Sequence, residues 1–370
     1  MNEREEQALA RLQKEIDKIA SKENRILFFV LDTKGNPSGS LEYIYNLALI
    51  LKEDGYDVTM LHQEEEFVGV EGWLGKKYAE LPHANISKSN IDVSPADILF
   101  IPEIFAQVMN QTKKLPCKRI AILQNYDYLL EQMPFAGQWG DFGILEAVVN
   151  EPYNANLIKD IFPYVKTHLV RPFINPIFGE TNEPKKMVVN IVAKNQGDIN
   201  KIVKPFYWKY PAYKWVSFRD LRGFPKEGFA AALREAAITI WVDEDASFGY
   251  SALEAMRSGN ILIAKMPKNP ISWSTEDENS TKLKDCCIWF DDFNALHKQI
   301  ASAVRSWTTD SVPAAIYEAE KETAAAYTYE QTKGDILKYV ADVLETRKKE
   351  MEAIKVQVLS KNNEEKEEKA

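Results

Sequence analysis

The sequence predicts an α/β protein built from two doubly wound, Rossmann-like halves. Three observations carry that reading. Short apolar, β-branched runs alternate with amphipathic helical segments along most of the chain. A stretch punctuated by Pro172, Asn175, Pro176 and Pro184 divides the alternation in two. The 370 residues are enough for two domains of ordinary size, each with its own core.

In chain order, residues 1–24 form a charged helical segment with Leu9, Leu12, Ile16 and Ile19 on one stripe. It reads as a helix packed on the first domain or as a weak oligomer contact. The first domain, 25–172, opens with a buried strand at 25–31, a loop rich in glycine and serine, a helix at about 40–54 and a strand at 57–62. Further strands are expected at 97–101, 119–123, 147–149 and 167–170, with His168 structural. Residues 63–90 are polar and read as an insertion or a long loop at the mouth. A linker at 173–186 leads to the second domain, 187–328. Its strands are expected at 187–193, 213–218, 238–242, 261–264 and 287–290. Its helices fall at 199–207, 227–237, 294–307 and 314–326, besides one after residue 249. A long charged helix at 329–358 follows, and composition marks 359–370 as a disordered tail.

Composition narrows the function. A chain that is 45% hydrophobic and 27% charged is a soluble globular protein. A net charge of −9 argues against a broadly electrostatic nucleic-acid binder, but allows a local basic patch. Cys117, Cys286 and Cys287, with four histidines, supply neither a disulfide framework nor zinc spacing. A reducing compartment fits. The first twenty residues lack the apolar core of a signal peptide, and no run approaches ~20 apolar residues. The expected location is cytoplasmic, with peripheral membrane contact left open.

The sharpest motif is 238–264, ITIWVDEDASFGYSALEAMRSGNILIA. A buried strand runs into three acids, Asp243, Glu244 and Asp245, and then a turn through Ser247, Phe248 and Gly249. A helix with Ala252, Leu253 and Met256 on one face follows, stopped by Gly259. Such a helix start offers free N–H groups and partial positive charge to a phosphate. Glu254 lies in its first turn. Ser251-x-x-Glu254 also reads as a capping box that needs no ligand.

This unit resembles the donor-site signature of retaining glycosyltransferases of the GT-B fold, glycosyltransferase family 4 most closely. That signature has an acid, G-F-G, a helix reading L-E-A-M-A-x-G and a P-V-I-A-type strand. The matching residues are Phe248, Gly249, Leu253, Glu254, Ala255, Met256, Gly259 and the strand at 261–264. The resemblance implies two Rossmann-like domains with a C-terminal helix crossing back onto the first. It also implies retention of configuration, no cofactor and no metal, and transfer from a nucleotide sugar to a glycan or other hydroxyl acceptor. Glu254 would bind the nucleotide ribose; Ser247, Phe248, Gly249, Tyr250 and Lys194 would meet the diphosphate, with help from Arg219 and Arg222. The family's first motif glutamate falls on Ala246, which leaves Asp245 as the acid for the sugar. A lysine expected five positions after Lys194 is replaced by Ile199. These two departures favour an alternative, a GT-B scaffold without catalysis that serves as a binding or assembly partner.

In the first domain, Gly35, Ser38 and Gly39 resemble the family's glycine loop, with Glu42 near the helix start; an ordinary helix start is the alternative. A dinucleotide fingerprint is absent, since only two glycines stand there, four apart. Asn125, Tyr126 and Asp127 follow a buried strand directly, where open parallel sheets bind ligands. They are candidate acceptor contacts, or in part a polar helix cap. Asp243-Glu244-Asp245 fits the metal-binding D-x-D pattern, a weak match in any chain.

Overall fold

The computed structural model describes residues 3–88, 91–276 and 282–367. A first helix, α1 (Glu3–Ser21), precedes a half built from β1 (Arg25–Phe29), α2 (Gly39–Glu53), β2 (Asp57–His62), α3 (Glu71–Leu74), α4 (Lys76–Ala79), β3 (His83–Asn85), β4 (Ile98–Pro102), α5 (Ala106–Gln111), β5 (Lys118–Leu123), α6 (Tyr126–Gln132), β6 (Glu146–Val149), α7 (Pro152–Ile161) and β7 (Lys166–Leu169). The second half holds β8 (Lys186–Ala193), α8 (Gln196–Lys209), β9 (Ser217–Asp220), α9 (Lys226–Glu235), β10 (Ala236–Val242), α10 (Tyr250–Arg257), β11 (Ile261–Lys265), β12 (Ile288–Phe290), α11 (Phe293–Thr308) and α12 (Ala314–Ala325), and α13 (Tyr329–Glu367) closes the chain.

Both sheets are parallel. The first runs β3-β2-β1-β4-β5-β6-β7 and the second β12-β11-β10-β8-β9. Strands buried on both faces read as near-continuous apolar runs, as do β4 (ILFIP) and β10 (AAITIWV), whose one polar side chain, Thr239, is satisfied by Asn260. Separate apolar clusters fill the two faces of each sheet. Strand order reverses between β1 and β4 in the first sheet and between β8 and β10 in the second. Such switch points open a crevice at the carboxyl ends of the strands, and here the two crevices face each other.

The last helix crosses back. Ile336, Val340, Val343, Leu344 and Met351 of α13 join the core of the first half beside α1 and α2. The Tyr339 hydroxyl donates to Glu146 at 3.1 Å, and Arg347 donates to the carbonyls of Pro95 and Pro116. His168 packs against the Tyr339 ring at 4.1 Å between centroids, a structural position.

Three segments differ from expectation. The 63–90 stretch holds α3, α4 and the edge strand β3, anchored by the buried Val70, Trp73, Tyr78 and Leu81. Spacing among its charged residues hid those anchors. The strand expected at 213–218 begins only at Ser217, because Tyr213 and Val216 are held in turns by bonds to the Tyr210 and Tyr213 carbonyls. The final helix continues to Glu367, where composition predicts a tail. No helix among the described residues is long and apolar enough to cross a membrane.

Candidate active site in the cleft between the sheets

A cleft of about 550 Å³ lies where the two sets of strand ends meet. The first half contributes Ser38 and Gly39 after β1, Gln124 and Asn125 after β5, Asn150 after β6, and Tyr128 of α6. The second half contributes Lys194 after β8, Arg222 after β9, Asp243, Asp245, Ala246 and Ser247 after β10, the start of α10, and Lys226. The halves touch here. A Cβ built on Gly39 would meet the Tyr250 ring at 3.1 Å, and Asn125 Nδ2 reaches the Asp245 carbonyl at 3.5 Å. Behind the cleft, Ser272 Oγ and N donate to the Glu151 carboxylate, both at 3.1 Å.

Gly249 is required by backbone shape. It is the N-cap of α10 at φ +76°, and a Cβ there would lie 3.2 Å from both Trp241 and Trp273. Trp273 Nε1 donates to the Phe248 carbonyl at 2.6 Å and holds the turn. The first-turn N–H groups of Tyr250 and Ser251 have no intrahelical acceptor and open onto the cleft. The Tyr250 hydroxyl is buried with no hydrogen-bond partner in the structure.

The capping-box alternative for Glu254 is overturned, since Gly249 rather than Ser251 caps α10 and no side chain caps it. The Glu254 carboxylate instead accepts from Lys226 Nζ, which also donates to Glu42 at 2.6 Å. Lys226 is buried against the Phe178 ring, 4.8 Å from its centroid. One cation thus joins the two halves through two carboxylates. Burial pushes the Glu254 carboxyl up to about 7, against the pull of Lys226. Burial works against the Lys226 charge too, but the two carboxylates outweigh it and hold the ammonium protonated.

Lys194 stands at the rim with Nζ 2.7 Å from Asp243. Desolvation opposes its charge, and the hydrogen bond it donates to Asp243, with the attraction of that carboxylate, more than restores it. Glu244 and Asp245 are both engaged by Lys268, at 2.9 and 2.7 Å. The three acids of the D-x-D pattern thus turn to lysines and not to a common point. Among the described residues, no cluster of His, Cys, Asp and Glu has metal-site geometry.

Of the expected residues, Lys194, Asp245, Ser247, Phe248, Gly249, Tyr250, Glu254, Ser38, Gly39 and Asn125 line the cleft. Arg219 does not. It points from β9 toward α9 and pairs with Glu235 at 2.6 Å, whereas Arg222, just past the strand end, reaches the rim. Gly35 sits back in a turn at φ +79° facing Val68. Tyr126 borders a small side cavity, and Asp127 donates its N–H to Asn125 Oδ1 at 2.8 Å, so Asn125 caps α6 and faces the cleft at once. Tyr128 takes the position expected of Tyr126 and Asp127. Lys226 was missed, although a signal exists: a lysine in the first turn of α9 opposes the helix dipole, and such local conflicts cluster at functional sites.

No protein-family model matches the chain. An α-1,6-glucosyltransferase of Actinobacillus pleuropneumoniae serotype 7 is 23% identical over 270 residues, 66% of this chain and 77% of that protein. Sucrose-phosphate synthase of Thermosynechococcus elongatus superposes with a TM-score of 0.59 at 11% identity, covering 87% of this chain and 100% of that one. The pneumococcal O-GlcNAc transferase GtfA, solved with UDP and GlcNAc, reaches a TM-score of 0.60 at 8% identity over 87% and 99% of the two chains. A Rickettsia africae glycosyltransferase gives 0.57 at 12% identity over 88% and 98%. With two facing parallel sheets and a returning last helix, the chain has the GT-B fold of these glycosyltransferases.

Proposed function

We propose that the chain is a glycosyltransferase that moves a sugar from a nucleotide diphosphate to a hydroxyl of a glycan or other acceptor. The observation that carries this reading is the division of charge across the cleft. The second half offers cations, helix N–H groups and a buried carboxylate, suited to a diphosphate and a ribose. The first half offers Ser38, Gln124, Asn125, Asn150 and Tyr128, neutral hydrogen-bonding groups suited to a polyol, while its one lining carboxylate, Glu42, is engaged by Lys226.

In the transfer, the bond from the anomeric carbon to the diphosphate oxygen breaks, one to the acceptor oxygen forms, and the proton of the acceptor hydroxyl is released, with the departing diphosphate able to take it up. The departing diphosphate gains negative charge. Lys194, Arg222 and the α10 N–H groups stand ready to meet it, preorganised donors being the main source of such stabilisation. Glu254 would accept from the ribose hydroxyls. Asp245 lines the cleft, although Lys268 holds its carboxylate, and its contact with the transferred sugar is part of the proposal. Metal independence is supported by the pairing of all three acids with lysines. Retention of configuration, a cytoplasmic location and domain limits of 25–172 and 187–328 also belong to the proposal.

Calorimetric titration with UDP-, GDP- and ADP-linked donors tests it. Binding of one class, weakened in Glu254→Gln, is expected; no binding by folded protein to any of them overturns it. A scaffold without catalysis is the second reading, favoured by Ala246 at the cleft wall where the resembled family has a glutamate. Donor hydrolysis or transfer by the unmodified chain ends that reading.

A further inference from the structure

The chain carries one acid in about seven residues, yet residues 199–218 contain none. That stretch holds Lys201, Lys204, Lys209 and Lys214 together with Phe206, Tyr207, Trp208, Tyr210, Tyr213, Trp215 and Phe218. In the fold it forms most of α8, the turn that follows and the start of the edge strand β9. Because α8 leaves the carboxyl end of β8 and returns to the amino end of β9, the aromatic turn lies at the end of the second half opposite the cleft.

The rings of the turn, Tyr210, Tyr213 and Trp215, follow one another as near neighbours, with Trp208 on the last turn of α8. Tyr210 and Tyr213 are 6.3 Å apart between centroids, Tyr213 and Trp215 6.5 Å, and Lys209 Nζ lies 5.9 Å from the Tyr210 centroid. Phe206 and Val216 bury the patch's underside, while Trp208 is 76% and Trp215 54% exposed. Lys201 is engaged by Asp198 at 3.0 Å. Lys204, Lys209 and Lys214 are exposed and, among the described residues, enter no ion pair.

From this surface we infer a docking site for an anionic phospholipid bilayer. Tryptophan and tyrosine favour the headgroup level of a membrane, where one end of the ring is wet and the other apolar. Unpaired lysines beside them meet negative headgroups, and the attraction is local enough to act in a protein of net charge −9. Two exposed indoles have no comparable reason to face water. The stretch contains no arginine, the residue that most often reads nucleic acid. Docking by this end would leave the cleft facing away from the lipid and open to a soluble donor. The site is independent of the reading of the cleft.

The test is co-sedimentation of the full chain with sonicated vesicles of pure phosphatidylcholine and of phosphatidylcholine containing phosphatidylglycerol. The inference expects binding only to the anionic vesicles, reversed by salt, with a blue shift of tryptophan emission. Lys204→Glu/Lys209→Glu/Lys214→Glu should lower partitioning at least about tenfold, and Trp208→Ala/Trp215→Ala should abolish the emission shift. Both variants should melt with the unmodified chain, because the substituted side chains are exposed. Equal binding to both vesicles, no binding to either, or full binding by the variants overturns the inference. So does a dimer that only the tryptophan variant disrupts, which would make the patch a contact between copies, or binding to a single-stranded oligonucleotide in preference to vesicles.

Discussion

The two rims of the cleft are built alike and charged differently. Each is a row of parallel strand ends, and each hides a glutamate beneath it. Under the first rim, Glu103 Oε1 accepts the Gln124 and Asn125 N–H groups at 3.2 and 2.8 Å, and its Oε2 has no partner in the structure. Under the second, Glu254 meets a buried ammonium. Burial pushes Glu103 up to about 7 with only backbone N–H groups to oppose it, whereas at Glu254 the Lys226 ammonium pulls against burial. The first rim therefore positions neutral amides and hydroxyls, while the second presents charge. One architecture yields an acceptor-like wall and a donor-like wall, according to whether a cation stands behind the buried glutamate.

The largest effect should come from removing the shared cation. Lys226→Met leaves Glu42 and Glu254 buried without it, and breaking a buried pair costs about 3–5 kcal/mol. Urea denaturation should show an unfolding free energy lower by that amount and a correspondingly lower midpoint; an unchanged midpoint would mean that Lys226 does not set the second rim apart. Next come two left-handed glycines, one from each half, Gly249 and Gly35. Gly249→Ala meets tryptophans on both sides and should cost about 1–3 kcal/mol together with most nucleotide binding. Gly35→Ala has only Val68 at 3.7 Å and should cost about 1 kcal/mol with binding intact.

Glu254→Gln sharpens the comparison at the ribose. Hydrogen bonds to charged groups contribute about 1.5–3 kcal/mol, so donor affinity should fall roughly ten- to hundredfold, with a smaller loss of stability than in Lys226→Met because Glu42 still faces the buried ammonium. Asn125→Ala and Tyr128→Ala should do the reverse of a donor variant, leaving nucleotide affinity alone and slowing transfer. Calorimetry beside a turnover assay separates the two patterns. Equal losses of affinity at both rims would erase the division.

The smallest effect is a slope. Glu103 is raised from 4.5 to about 7 in the fold, so between those values the native state keeps a proton that the unfolded chain releases. The stability Glu103 contributes is complete below about 4.5 and is lost as pH rises through about 7, by at most about 1.4 kcal/mol per pH unit. Glu103→Gln keeps an acceptor for both N–H groups and removes the titration. The variant should show a flatter dependence of stability on pH over that window, read from urea midpoints. An unaltered slope would show that Glu103 does not titrate there.

What the sequence determined by itself was everything written in local periodicity. Apolar runs set the strands, proline and glycine set their limits, and the β10–α10–β11 unit carried its glycines at the two positions, Gly249 and Gly259, where φ is positive. Those signals are local because backbone geometry is local. Tertiary structure alone decided which charges meet. Glu42 and Lys226 stand 184 positions apart, yet their bond joins the halves. Arg219 and Arg222 look interchangeable in sequence, but strand alternation turns one to Glu235 and the end of the strand turns the other to the cleft. Burial likewise separates Glu254 from a helix cap. Desolvation and counter-charge depend on what the rest of the chain packs around a group, and no window of neighbouring residues contains that information.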